Sequence, residues 1–261
     1  MSEHLRTKAF QIVFSPTGGT GRVADIVTGA WGMSVSRIDL SCAGTDYSSY
    51  DFERDDIAVI AVPSYGGRVP LPAIQRISQM HADRTPCVLI CVYGNRAYED
   101  TLLELKDTAE KSGFEVIAAI AAVAEHSIMH QYASGRPDAE DEMQLRRFAG
   151  QIQEKIRGGL TETSTPQIPG NRPYKKAGGS GLVPKADNNC TNCGLCAERC
   201  PVWAISRDHL KTADSKKCIS CMRCIALCPQ RARKVNGAVV SAAALAMKKV
   251  CSVRKGNELF I

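Results

Sequence analysis

Residues 8–31 read KAFQIVF (8–14), then SPTGGTG (15–21), then RVADIVTGAW (22–31). The opening segment is a short, mostly apolar run of the kind that makes a buried strand. In the closing segment Val23, Ile26, Val27 and Ala30 fall at helical spacing. Between strand and helix lies a loop of hydroxyls and glycines. Ser15, Thr17 and Thr20 offer O–H groups. Gly18 and Gly19 let backbone N–H groups crowd an anion at the positive end of the following helix. No lysine follows the glycines, so the loop is not of the Walker A type. Gly19-Thr20-Gly21-Arg22-Val23-Ala24 also matches G-x-G-x-x-A, with Asp39 at the end of the next strand, which keeps a dinucleotide reading open. That fingerprint turns straight off its strand, however, whereas Ser15 to Gly18 intervene here.

Moving outward, the same alternation continues. SVSRIDL (34–40) reads as a strand, and 41–55 is polar and turn-rich. Residues 56–62, DIAVIAV, form a near-continuous apolar run, as in the middle of a parallel sheet. PAIQRISQM (72–80) suggests a helix, CVLICVYG (87–94) another buried strand, and TLLELKDTAEKSG (101–113) an amphipathic helix closed by glycine. FEVIAAIAAVAEH (114–126) reads as the fifth strand. The segment 137–159 has an acidic first turn and a basic last turn, as a capped helix does. Five strands with intervening helices predict an α/β doubly wound parallel sheet in the order 2-1-3-4-5.

In such sheets ligands bind beyond the carboxyl ends of the strands, beside strand one. Three loops arrive there. Besides the first, they are Pro63-Ser64-Tyr65-Gly66-Gly67-Arg68 and Tyr93-Gly94-Asn95-Arg96-Ala97-Tyr98. Aromatics, glycines and arginines together suit a flat ring held by stacking and backbone hydrogen bonds. Tyr65 and either Tyr93 or Tyr98 are the expected ring neighbours. Arg68 and Arg96 suit either a ring edge or a docking surface, and His126 either borders the site or serves the structure.

A second block decides the other half. Residues 190–201 and 218–229 each follow C-x2-C-x2-C-x3-C-P, a spacing that holds [4Fe–4S] clusters on thiolates. Three cysteines on a tight loop reach one cubane, and the fourth is carried to the other. The spacing therefore assigns Cys190, Cys193, Cys196 and Cys228 to one cluster, and Cys218, Cys221, Cys224 and Cys200 to the second. A zinc ribbon uses two C-x2-C pairs and gives no reason for a duplicated run. The other four of the twelve cysteines, Cys42, Cys87, Cys91 and Cys251, are scattered and read as reduced, mostly buried thiols.

Three resemblances follow from these residues. Ser15, Thr17, Gly18 and Thr20 match S-x-T-G-x-T, so the first loop resembles the flavodoxin phosphate loop, with Gly19 where an asparagine is usual. The block 190–229 resembles the bacterial two-cluster ferredoxins. The whole chain is similar to fused flavodoxin–ferredoxin electron-transfer proteins. The resemblance implies FMN across the three loops, on Ser15, Thr17, Gly18, Gly19, Thr20, Pro63, Ser64, Tyr65, Gly66, Gly67, Tyr93, Gly94, Asn95, Arg96 and Tyr98. It also implies two [4Fe–4S] clusters. The expected layout is a flavodoxin-like domain over 1–157, a Gly/Pro-rich linker over 158–184 lying along its surface and a small α+β two-cluster ferredoxin domain over 185–237. A helix and docking tail over 238–261 would follow.

Charge is uneven. Residues 1–157 carry 16 Lys/Arg against 21 Asp/Glu, and residues 158–261 carry 17 against 6. No nucleic-acid signature accompanies the basic half; its excess suits anionic clusters and acidic redox partner proteins. The N-terminal MSEHLRTKAF lacks an apolar signal core, and the longest apolar run, 116–124, is about half a bilayer span. A cytoplasmic chain without membrane contact is expected, with a homodimer among the admissible assemblies. No general acid–base pair or nucleophile stands out, so a carrier is expected ahead of two rivals. These are an FMN-dependent reductase fed by the clusters and an iron–sulfur sensor without flavin.

Overall fold

The structure, a computed structural model, describes residues 8–160, 165–178 and 181–261. The N-terminal segment 1–7 and parts of the expected linker, 161–164 and 179–180, lie outside the described residues.

The first part of the chain alternates strand and helix. In order it runs β1 (Ala9–Val13), α1 (Gly19–Gly29), β2 (Val35–Asp39), β3 (Asp51–Phe52), β4 (Ile57–Pro63), α2 (Leu71–Ile77), β5 (His81–Ala82), β6 (Pro86–Tyr93), α3 (Thr101–Lys111), β7 (Glu115–Val123) and α4 (Ala139–Arg157). The long strands are parallel and stand side by side as β2-β1-β4-β6-β7. Without the two-residue strands β3 and β5, which pair with each other, that is the order 2-1-3-4-5.

Successive side chains of β4 and β6 face opposite sides of the sheet, so their apolar runs feed two cores. Val59, Ala61, Val88 and Ile90 pack under α1 and α4 with Val23, Leu145 and Ile152. Ala58, Ile60, Leu89 and Cys91 pack under α2 and α3 with Ile77, Leu102 and Leu105. Cys87 and Cys91 lie wholly inside the second core, and burial pushes both thiols far above their ordinary pKa. The helix α4 opens on a capping box: Asp138 accepts from the Asp141 N–H, and Asp141 accepts in return from the Asp138 N–H.

The second part is small and irregular. β8 (Lys185–Ala186), α5 (Leu195–Glu198), α6 (Arg223–Ala226) and β9 (Arg233–Lys234) hold the cysteine block, with β8 and β9 antiparallel. Then α7 (Gly237–Cys251) and β10 (Glu258–Phe260) close the chain. β10 lies antiparallel against β7, so the tail supplies a sixth strand to the sheet. Leu259 packs on one core and Phe260 on the other.

Buried Asn257 pins this return. It accepts from the Val123 N–H at 2.9 Å and donates to Asp141 and Gln144 at 2.9 and 2.8 Å. From the loop after β6, Asn95 donates to the Cys251 and Val253 carbonyls at 2.7 and 2.9 Å and accepts from the Lys255 N–H. Buried Arg76, on α2, bridges the Leu40 and Pro201 carbonyls and so ties the cysteine block to the sheet domain. No helix among the described residues is long and apolar enough to cross a membrane.

Candidate functional site

A cavity of about 660 Å³ opens at the carboxyl ends of β1, β4, β6 and β7. At its floor the chain leaves β1 and turns into α1. Gly18 makes that turn with φ 95°, a conformation that costs a residue with a Cβ strain. Ser15 is spent inside the loop: its Oγ accepts from the Gly21 N–H at 2.9 Å, and its N–H donates to Ser41. Among the described residues the N–H groups of Thr17, Gly18, Gly19 and Thr20 have no protein partner. Those donors, at the positive end of α1, make an anion cradle.

The loop after β4 brings Pro63, Ser64, Tyr65 and Gly66 to the cavity, and the loop after β6 brings Tyr93, Gly94 and Arg96. A Cβ on Gly94 would stand 2.7 Å from the His126 ring, so the bare backbone is what lets these two loops close up. His126 lines the cavity too. Its Nδ1 accepts from the Ile128 and Met129 N–H groups at 3.1 and 3.2 Å, and burial lowers its pKa. The ring is therefore neutral, with its proton on Nε2.

Five of the residues expected at a flavin lie off the cavity lining. Ser15 and Gly18 shape the loop from behind, and Gly67 packs against Glu99. Asn95 holds the chain after α7. Tyr98 packs against Tyr93, their tilted rings 5.3 Å apart, and donates to Glu258. Arg68 is committed elsewhere as well: it pairs with Glu104 and donates to the Lys175 carbonyl. These side chains had tertiary partners that loop composition does not reveal.

The remaining walls come from distant sequence. Residues 171–175 are strapped over the sheet domain. Asp100 accepts from the Asn171 and Lys175 N–H groups, and Asp107 pairs with Arg172 and Tyr174. Those backbone bonds, that of Lys175 foremost, hold the Asp100 carboxyl below its usual pKa. The strap brings Lys175, Lys176 and Gly178 to the cavity. Helix α7 contributes Val239, Ala243 and Met247, and the cysteine block contributes Ile219 and Ser220.

Two smaller cavities lie inside the cysteine block. One is lined by Cys190, Cys193, Cys196 and Cys228, the other by Cys200, Cys218, Cys221 and Cys224. Each combines three cysteines of one run with the last of the other. Among the described residues no group of three or more His, Cys, Asp or Glu could hold a single ion. The four cysteines of each set line one common cavity.

Backbone N–H groups of Ala204 and Ala232 donate to the Cys200 and Cys228 sulfurs at 3.3 Å each, the kind of bond that tunes a cluster's potential. Burial pushes Cys221 to about 12 and Cys224 to about 11. At Cys228 burial acts in the same sense, but the N–H groups of Ala232, Arg233 and Gln230 outweigh it and the thiol is lowered.

Residues 189–233 match the family model of a 4Fe-4S dicluster domain. The matched segment covers less than half of the chain, and residues 9–157 carry the doubly wound α/β sheet. Among solved structures, a Streptococcus pneumoniae TIGR4 flavodoxin is 20% identical, covers 57% of this chain and 99% of its own, and superposes with a TM-score of 0.40. A flavodoxin from the domain Archaea is 12% identical over 58% of this chain and 99% of its own, with a TM-score of 0.43. The rubredoxin oxygen:oxidoreductase of Desulfovibrio gigas is 14% identical, covers 59% of this chain and 37% of its own, with a TM-score of 0.41. No curated protein matches the sequence.

The dicluster domain and the large cavity share a wall. Ile219, between Cys218 and Cys221, lines both the large cavity and the cavity of Cys200, Cys218, Cys221 and Cys224. Neither Ile219 nor the wall residues Val239, Ala243 and Met247 carry a local signal. They are ordinary apolar residues whose role comes from where the chain is folded back.

Proposed function

We propose that the protein is an electron relay holding two [4Fe–4S] clusters in the dicluster domain and FMN in the large cavity. The observation that carries this reading is the shared Ile219 wall, which sets the inner four-cysteine cavity one side chain from the large cavity. Bound clusters supply one-electron transfer, and a bound flavin supplies one- or two-electron chemistry. The chain's own work is to hold and order them.

The free N–H groups of Thr17 to Thr20 receive the phosphate, with Thr17 and Thr20 adding hydroxyls. Tyr65 and Tyr93 supply aromatic surface, Gly66 and Gly94 close approach of backbone, and neutral His126 an N–H donor. Cys190, Cys193, Cys196 and Cys228 hold the outer cluster; Cys200, Cys218, Cys221 and Cys224 hold the inner one. With such groups held there, the chain would set a partner protein, the outer cysteine set, the inner set and the large cavity in line for electron passage in either direction. Exposed Cys193 marks the outer port, and the basic excess of residues 158–261 favours an acidic partner face.

Cofactor content after anaerobic purification tests the reading. About one FMN with about eight iron and eight sulfide per chain is the expected result. Full iron with no flavin, even after incubation with excess FMN, would overturn the flavin half and leave a dicluster protein with an empty α/β domain.

A further inference from the structure

The two cysteine runs repeat at an offset of 28 residues, Cys190 matching Cys218 and Cys200 matching Cys228. The backbone repeats with them. Asn192 and Ser220 have φ of 55° and 53°, and Trp203 and Arg231 have 52° and 49°. Of the two repeat positions buried in both runs, one is alanine in each and the other differs. Five residues after its fourth cysteine the first run places Ile205, 5% exposed, on the inner cavity. The second run places Arg233, 2% exposed, on the outer one.

A guanidinium is costly to remove from water unless an anion compensates it. Among the described residues Arg233 finds no such anion. Its Nη1 donates to the Leu210 carbonyl at 2.5 Å and to the Cys196 sulfur at 3.6 Å, and its Nη2 to the Pro184 carbonyl at 3.0 Å. Its buried Nε has no hydrogen-bond partner, and among the described residues no carboxylate pairs with it. Arg223, on the inner cavity, stands 3.6 Å from the Asp39 carboxylate instead. The Arg233 charge also acts on Cys224, a ligand of the other set. Two neutral carbonyls and thiols from both sets surround a bare cation.

We propose that Arg233 is a potential-setting residue, a buried counter-cation placed between the two thiolate sets that raises the reduction potential of the clusters they hold. Each cluster gains one negative charge when it accepts one electron. A fixed positive charge in a dry site stabilises that more negative form more than the oxidised one. Two carbonyl bonds and burial keep the guanidinium in place. The proposal rests on the two-cluster part of the functional reading and not on the flavin.

The test is potentiometry with dithionite as electron donor, followed by electron paramagnetic resonance, on the full chain and its Arg233→Ile, Arg233→Gln and Arg233→Lys variants. Iron and sulfide content of the unaltered chain, measured first, separates a failure of the two-cluster reading from a failure of this one. Arg233→Ile copies the first repeat. It is expected to keep its iron and to lower the equilibrium constant for cluster reduction about tenfold, which is about 59 mV per electron. Arg233→Lys is expected to stay near the parent. Where Arg233→Ile takes up no iron, Arg233→Gln, which keeps an N–H donor for the two carbonyls, makes the same comparison against lysine. Loss of iron from both uncharged variants but not from Arg233→Lys also supports the proposal. Unchanged potentials in an iron-replete uncharged variant, equal shifts in lysine and uncharged variants, or loss of iron from all three would overturn it and leave Arg233 a bridge between two carbonyls.

Discussion

The two four-cysteine cavities come from the same twelve-residue pattern, yet they sit in different surroundings. The inner one has Cys200 and Cys221 buried, shares Ile219 with the large cavity and lies beside Pro201, which Arg76 anchors to the sheet domain. The outer one has Cys193 exposed and Cys190 and Cys196 half-buried. A repeat thus gives two equal ligand sets, and packing against the α/β domain makes them unequal. The difference teaches that the order of centres in this molecule follows from docking and not from the motif.

Replacing one ligand in each set puts the comparison under the greatest strain. Cys221→Ala should cost about half of the iron and sulfide and abolish electron exchange between the dicluster domain and bound flavin, read by anaerobic stopped-flow absorbance. Cys193→Ala should lose a similar amount of iron yet leave inner-cluster-to-flavin transfer in place when a small reductant bypasses the port. Equal loss of flavin reduction in both variants would break the inner–outer assignment.

Thiol chemistry of the metal-free protein gives the next largest contrast. Exposed Cys193 should be alkylated first near pH 8, whereas Cys221, which burial pushes to about 12, and Cys224, pushed to about 11, should lag by at least tenfold. Peptide mapping by mass spectrometry at timed intervals reads the order. Cys87 and Cys91 inside the sheet core should react only on unfolding.

The tail sharpens the comparison without touching a cysteine. Asn257→Ala leaves the buried Val123 N–H and part of the Asp141 carboxylate without a partner. A loss of about 1–3 kcal/mol in urea unfolding is expected, with iron content unchanged. Asn95→Ala, which frees the Cys251 and Val253 carbonyls behind α7, should cost a similar amount and weaken FMN retention more than iron retention.

The smallest effect expected is that of acid on the strap at the large cavity. The Asp100 carboxyl, held below its usual pKa by the Lys175 N–H and its other partners, favours the strapped state. That contribution is complete above the ordinary carboxylate pKa of about 4 and fades as pH falls through the lower folded value. Asp100→Asn should remove this part of the acid sensitivity, measured as the urea midpoint between about pH 5 and pH 3.

Much of this was legible in residues 8–31 and in the duplicated cysteine spacing. Apolar runs of seven or eight residues gave buried parallel strands because period and length leave little else for them to be. The cysteine pattern assigned ligands across the two runs because thiolate reach on a tight loop is a local matter. Asn95 and Tyr98, expected on the cavity, lie off its lining, since a polar or aromatic loop residue looks the same whether its partner is a cofactor or Cys251 and Tyr93. The stretch 171–175 was expected only as part of a linker lying along the surface, because the carboxylates that strap it, Asp100 and Asp107, lie far upstream.

By itself the sequence determined the α/β alternation, the anion-cradling turn at Gly18 and the two sets of four thiols, all of them consequences of local stereochemistry and spacing. Only the tertiary structure decided which set faces the large cavity and that the tail adds β10 to the edge of β7. Those outcomes depend on contacts between residues more than a hundred positions apart, such as Arg76 with Pro201 and Asn95 with Cys251. Burial and the loss of water give such pairs their energy, and no window of sequence contains both partners.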